Sequence, residues 1–391
     1  MLNDVLKLPR TVWLLGALSF LNDAASDAIY PLLPLYFAAT FAVGAQALGV
    51  IEGAANATAA LMKLVSGYFY DRSKRAKGWL VVGYTLPALA RPLIALAGSA
   101  PVVLLLRMGD RIGKGLRSSP RDALLGATVA ANRRGLVYGL HRSMDHAGAV
   151  AGPLLAAGLL ASGWSVREVI ISTLVPGVLC VLLVALLREP PGVAVATGKI
   201  EWQWRALPSP LKRYLFALGV FTLSQASNMF LLLRAKESGF SDAQIPLLWA
   251  GFSALAMLLS TPLSALSDRV DRRRLLRSAW VVYALLFAAF GLLPQTLATT
   301  IALFVGYAVF IAATEGAEKA LIAELAPQAQ LGTAFGWFHL VSGLMLLPAS
   351  ALFGWLWTHI NPATAFAVSA STSIIAAAML TRAVRANEVS G

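Results

Sequence analysis

The sequence predicts an all-α integral membrane protein, with twelve transmembrane helices in two pseudo-symmetric six-helix halves. Three observations predict it. Of 391 residues, 58% are hydrophobic and only 13% are charged, against about 25% charged in a soluble domain; the mean hydropathy is +0.70. The apolar residues gather into runs long enough to cross a bilayer core, which takes about 20 residues of helix. The basic residues behind the net charge of +13 sit mainly in alternate short loops, the signature of the cytoplasmic side rather than of a nucleic-acid surface.

In chain order the twelve runs cover 11–37, 47–70, 78–97, 102–126, 135–161, 166–187, 213–234, 243–267, 275–293, 298–325, 332–357 and 363–379. The second run leads into Asp71-Arg72-Ser73-Lys74-Arg75, the fourth into Arg133-Arg134, and the eighth into Asp268-Arg269-Val270-Asp271-Arg272-Arg273-Arg274. The sixth leads into the longest linker, 188–212, and the tail carries Arg382 and Arg385. The opposite loops hold few charges, so both termini are expected in the cytoplasm. The opening MLNDVLKLPR lacks a cleavable signal pattern, and the first run is expected to stay as a span. One offset relates Asp71-Arg72 to Asp268-Arg269, Ala123-Leu124 to Ala320-Leu321, and Gly135 and Gly139 to Gly332 and Gly336. That repetition predicts a half at 1–187, a cytoplasmic linker at 188–212 and a second half at 213–391.

Charge inside the apolar runs marks the candidate site. A charge at bilayer depth is costly and persists when it is paired or faces water. The stretch 107–153 carries Arg107, Asp110, Arg111, Lys114, Arg117, Arg121, Asp122, His141, Arg142, Asp145 and His146. On a helix Arg107, Arg111, Lys114 and Arg121 share one face. In the first run Asp23 and Asp27, with Asn22, Ser26 and Tyr30, form a polar face. Those two acids are candidate proton carriers, or else permanent partners of an arginine in the fourth run. Arg107 and Arg111 are expected to pair with them or to bind an anionic substrate; Lys114, Arg117 and Arg121 lie nearer the cytoplasm, as gate or phospholipid contacts. His141 and Asp145, one helical turn apart, read as a proton relay, a metal-ligand pair or a structural hydrogen bond.

Gln225 and Asn228 occupy the seventh run about where Asp23 and Asp27 sit in the first, which suggests substrate hydrogen bonding. Glu52, Glu315, Trp337 and His339 complete the candidate substrate set. No dedicated metal site and no cofactor are expected. The glycines flanking Lys114 follow no strand, so they do not form a nucleotide loop, and neither a metalloprotease helix nor a nucleophile elbow occurs. An enzyme is therefore not expected. Cys180, the only cysteine, leaves no intramolecular disulfide.

Several motifs resemble the major facilitator superfamily. Gly67-x-x-x-Asp71-Arg72-x-x-Arg75 looks like its loop motif, and Ser264-x-x-x-Asp268-Arg269 is a weaker copy. Arg107 after the apolar residues 102–106 is similar to its fourth-span arginine. Gly148-x-x-x-Gly152-Pro153 is similar to its exporter motif, with Ala156 and Ala157 in place of trailing glycines. The stretch Asp110-Arg111-x-Gly113-Lys114-Gly115-x-Arg117-x-x-Pro120-Arg121-Asp122 resembles a bacterial efflux-type permease subgroup. The resemblance implies a monomeric secondary transporter of a bacterial inner membrane, working by alternating access, with lipids, protons and a small molecule as partners. Proton-coupled efflux of a small organic compound by antiport is the expected activity. A divalent metal or its chelate, or an anionic or lipid-like substrate, is the alternative. Asp71, with Asp268 as its echo, would act as a gating latch together with Gly67, Arg72, Arg75 and Arg269. Gly148, Gly152 and Pro153 would pack the fifth span.

Overall fold

The computed structural model describes residues 2–29, 32, 45–187, 202–225, 227–241 and 244–388, excepting the side chains of 2, 45–56, 100 and 381–388. Every regular element among them is helical. In chain order these are α1 (Leu2–Leu6), α2 (Arg10–Ile29), α3 (Ala45–Ser73), α4 (Ala76–Ile94), α5 (Ala100–Thr128), α6 (Arg134–Ala161), α7 (Val166–Ser172) and α8 (Leu174–Ala185). After the linker come α9 (Ser209–Ser224), α10 (Asn228–Glu237), α11 (Gln244–Leu266), α12 (Arg272–Leu292), α13 (Leu297–Leu325), α14 (Leu331–His359) and α15 (Pro362–Glu388).

The helices wear their apolar side outward. Leu105, Leu154, Leu182, Leu247, Leu285 and Leu292 are exposed, while Arg107, Asp71, Asp110 and Asp122 are buried. A soluble domain does the reverse; the arrangement fits a hydrocarbon surround, where charge must turn inward. Among the described residues 8 stretches are long and apolar enough to cross a membrane, running from Ala131–Ala161 to Pro362–Leu380. The long helices outside that set are α2 to α5, the ones carrying Asp23, Asp27, Lys63, Arg91 and the charges of 107–122.

Two predicted spans are interrupted within, although Val166–Ala185 and Ser209–Glu237 each remain one stretch long and apolar enough to cross a membrane. The sixth divides at Thr173 into α7 and α8. Pro176 supplies the reason: it has no N–H to give the Ser172 carbonyl and its ring crowds that oxygen. The seventh divides between α9 and α10. Gln225 is extended (ψ 128°) and the Ser227 hydroxyl caps the new helix by accepting from the Met229 amide at 3.4 Å.

The chain forms two compact units. The first comprises Met1–Ala130, Leu140–Trp202 and Pro327–Leu340; the second comprises Ala131–Gly139, Gln203–Ala326 and Val341–Gly391. In the first, Ile29, Ile94, Ala95, Val103 and Ile170 form an apolar cluster, with Ala28, Ala156 and Val169 in another. Its α6 lies directly against α2. A Cβ on Gly148 would sit 2.5 Å from the Phe20 carbonyl oxygen and 2.9 Å from the Ala24 amide, and one on Gly152 2.8 Å from the Ala28 amide. The exporter-like glycines thus permit main-chain contact between the helix of Asp23 and Asp27 and that of Asp145. The second unit is built on aromatics. Buried Trp280 stacks on Phe221 (centroids 4.5 Å, planes 5° apart), and Tyr283, Phe287, Phe290 and Phe366 continue the cluster. Such pairs add to their area burial.

Gly148→Ala forces a methyl against main chain that cannot rotate away, an overpacking cost of about 1–3 kcal/mol. A lowered melting temperature in detergent is the expected outcome. Gly158→Ala, whose Cβ meets nothing within 4 Å, should leave it unchanged or raise it.

Candidate functional site

The first unit buries a dense set of ions. Asp110 is its hub: Oδ1 accepts from Arg91 Nε at 2.9 Å and lies 2.9 Å from a second Arg91 nitrogen. Its Oδ2 accepts from Arg107 at 3.3 Å, and Arg111 stands 3.9 Å away. Arg91 also donates to the Asn22 carbonyl of α2 at 2.9 Å. This corrects one expectation: the described ion-pair partner of Arg107 and Arg111 is Asp110, on their own helix, rather than Asp23 or Asp27. An i, i+3 carboxylate satisfies Arg107 without crossing to another helix, and Arg91 completes it from α4. Arg91 was missed by sequence reasoning; the signal was a lone arginine within the apolar run 78–97.

A second network runs from α6 to α14. Asp145 accepts from Arg142 at 3.1 Å, lies 3.5 Å from His141, and takes a hydrogen bond from the Ser19 hydroxyl. Ser19 in turn accepts from Arg121 at 3.3 Å. Arg121 donates to Asp122 at 3.1 Å, whose other oxygen is 3.0 Å from His339 Nε2. His141, Asp145 and His339 therefore do belong together, joined through Ser19, Arg121 and Asp122. Arg117 donates to the Gly83 carbonyl at 2.9 Å and lies over the Tyr84 ring at 4.8 Å.

Asp23 and Asp27 stand apart from these pairs. Both are half-buried. Asp23 accepts from its neighbour Asn22 at 2.8 Å. Asp27 has no hydrogen bond or ion pair among the described residues, although Asp23, Lys114, Arg91 and Arg111 act on it electrostatically. Tyr30 and the side chain of Glu52 lie outside the described residues.

The two repeated aspartates each cap a helix. Asp71 accepts from the amides of Gly332 (2.9 Å) and Thr333 (2.5 Å), at the start of α14. Asp268 accepts from Gly135 and Leu136, both at 2.8 Å, at the start of α6. These amides have no intrahelical acceptor, and the helix dipole favours an anion there. Lys74, in the left-handed region at φ 52°, ties Asp71 (3.2 Å) to the Ala329 carbonyl (2.6 Å). Arg272 ties Asp268 (2.7 Å) to Ala131 (2.6 Å) and Glu324 (2.5 Å). Gly67 packs against the main chain of Gly332. The other motif cations are peripheral: Arg72 is exposed over the Tyr68 ring (4.9 Å), and Arg75 and Arg269 are exposed. Pro153 lies half-buried within α6.

In the second unit Gln225 marks the break of the seventh span, and Asn228 accepts from the Tyr307 hydroxyl at 3.1 Å. Glu315 is half-buried and acts electrostatically on the same tyrosine. Trp337, in the first unit, donates to the Trp202 carbonyl at 2.9 Å. Among the described residues no three His, Cys, Asp or Glu side chains converge as a metal site would require.

A sequence model described as the Major Facilitator Superfamily matches residues 15–232 and 214–390. The chain belongs to that superfamily. An uncharacterized superfamily-type transporter of Methanocaldococcus jannaschii is 30% identical over 383 residues, 96% of this chain and 95% of the relative. The multidrug resistance protein MdtG of Citrobacter koseri is 27% identical over 281 residues, 68% of each. The human organic anion transporter MFSD10 superposes with a TM-score of 0.78 over 95% of this chain and 100% of that one. At 15% identity that likeness concerns the fold alone. As a superfamily transporter, the chain carries its buried ions in a multi-pass membrane protein.

Asp110→Asn removes the only anion that the described contacts give Arg91, and breaking a buried pair costs about 3–5 kcal/mol. A large fall in thermal stability is expected in detergent, whereas Asp27→Asn should change it little.

Proposed function

We propose that the protein is a proton-coupled secondary transporter that exports a small organic compound by alternating access of the halves 1–187 and 213–391. The observation that carries this reading is the contrast between Asp27 and the other acids of the first unit. Asp71, Asp110, Asp122 and Asp145 are each held by donors. A carboxylate locked that way is poorly suited to gain and lose a proton in each cycle. Asp27, half-buried and without such a donor among the described residues, is the acid best placed to do so, with Asp23 one turn away. An intramembrane acid in this setting is a functional group by default.

Export is supported by the likeness to multidrug resistance proteins and by the glycine contact of α6 with α2. The caps at Asp71 and Asp268 would be made and broken as the halves alternate, holding one access state by charge-assisted bonds to helix starts. The metal alternative is less well supported: His339 is engaged with Asp122 and His141 lies beside Asp145, and no third ligand joins either pair among the described residues.

In proteoliposomes carrying a pH dye, a panel of organic cations, organic anions and divalent metals should yield a compound whose movement is accompanied by protons. Asp27→Asn should abolish the proton signal while binding persists. Proton movement of wild-type size in both Asp27→Asn and Asp23→Asn would overturn the assignment.

A further inference from the structure

Lys114 lies at the middle of α5, a helix of 29 residues that begins at Ala100. At 1.5 Å per residue its Cα is about 21 Å along a helix of about 43 Å. Its side chain is nonetheless exposed, and among the described residues its ammonium makes no hydrogen bond or ion pair. An ammonium exposed to lipid at that depth would cost at least about 2.5–3.5 kcal/mol. It must therefore face water. The charges that act on it are Arg111, Asp23, Arg117 and Asp110, so it looks onto the same polar interior as the proton-carrying acids. In that interior the described cations Arg91, Arg107, Arg111, Lys114 and Arg117 outnumber the described carboxylates Asp23, Asp27 and Asp110. Asp110 is already shared among Arg91, Arg107 and Arg111.

We propose that Lys114 binds the anionic group of the transported compound, a carboxylate, sulfonate or phosphate on a small organic molecule, with Arg111 one turn away adding to the attraction. This rests on the proton-coupled reading above and names its substrate class. The acid and the ligand are then rivals: ionised Asp27 and a substrate anion draw on the same cation, Lys114. A proton on Asp27 withdraws that rival, so proton and anion bind the same state with positive cooperativity. The compound then leaves together with a proton, so export on this inference is symport down the compound's own gradient, in place of the antiport expected from the sequence; a monoanion crosses as a neutral pair.

The groups that face Asp27 are consistent with this exchange. From α5 come Lys114 and Arg111, from α4 Arg91, and from its own helix Asp23. On α6, the packing face opposite Asp23 and Ala24 is Gly148 and Gly152, with Asp145 bonded to Ser19, Arg142 and His141 beside Asp145, and His146 one residue on. On α8 the titratable group is Cys180, whose thiol points to the Leu18 carbonyl at 3.6 Å; on α7 they are the exposed Arg167 and Glu168.

The test is calorimetric binding of benzoate, benzenesulfonate and phenyl phosphate to the full chain in non-ionic detergent, with tetraphenylphosphonium as the cationic control. At least one of the anions should bind, more tightly as pH falls, with proton uptake. Lys114→Gln should weaken it on the order of 10-fold or more, as for a lost charged hydrogen bond, and Lys114→Arg should restore most of it. Unliganded melting of each variant separates lost binding from lost folding. Equal anion affinity in wild type and Lys114→Gln, or binding of the cation alone, would overturn the proposal. So would an effect of Lys114→Gln confined to phosphatidylglycerol nanodiscs, which would make Lys114 a lipid contact. Asp27→Asn tests the underlying reading separately: it should bind the anion without pH dependence. If pH dependence survives there while Lys114→Gln still loses affinity, the anion site stands and Asp27 as proton carrier falls.

Discussion

Removing charge from water is the constraint on which the rest of this molecule depends. Arg91, Arg107 and Asp110 are almost wholly buried, and each would be prohibitive alone, because desolvating one ion costs several kcal/mol even after relaxation. Together they form a compact set that also claims the Asn22 carbonyl, joining α2, α4 and α5 by charge-assisted bonds. The helices must hold the distances these bonds require, so the ions limit how far the three elements can shift. A neutral core of the same volume would be as stable or more so. Retaining ions in such a place makes sense for a protein whose interior has to recognise something polar.

The same economy governs the helix ends. The first amides of α6 and α14 lack intrahelical acceptors, and Asp268 and Asp71 supply them. Each aspartate is held by a cation that also reaches a carbonyl, Lys74 to Ala329 and Arg272 to Ala131. The two arrangements are chemically alike and differ in detail. Arg272 adds Glu324, whereas Lys74 sits in the left-handed region of backbone space. A repeated scaffold has thus kept one physical device while altering the side chains that tune it.

Division of labour among the acids follows from who holds them. Asp122 and Asp145 are stitched by Arg121, Arg142 and Ser19 into one network that reaches His339. Asp27 has only a field around it. Lys114 shares that field and stays exposed at mid-helix, so the two groups proposed to exchange proton and anion lie where the fixed pairing ends.

Much of this was legible beforehand. Runs of about 20 apolar residues, basic alternate loops and the repeated Asp-Arg pair determined a membrane-spanning helical protein, because a bilayer admits little else that satisfies the backbone. The motif aspartates and close-packing glycines could likewise be picked out, since residue type alone announces a cap or a close approach. Pairing could not. Which carboxylate takes which arginine depends on the rotation and offset of neighbouring helices, and those are set by close packing such as that at Gly148 and Gly152 rather than by spacing along the chain. So Arg107 settled on Asp110, the lone Arg91 became its partner, and His339 met Asp122. The breaks at Thr173 and Gln225 also escaped the apolar pattern, which continues across them. The sequence by itself determined the solvent, the helices and the inventory of charges; only the tertiary structure decided which charges neutralise one another, because Coulomb energy depends on distances that no one-dimensional pattern contains.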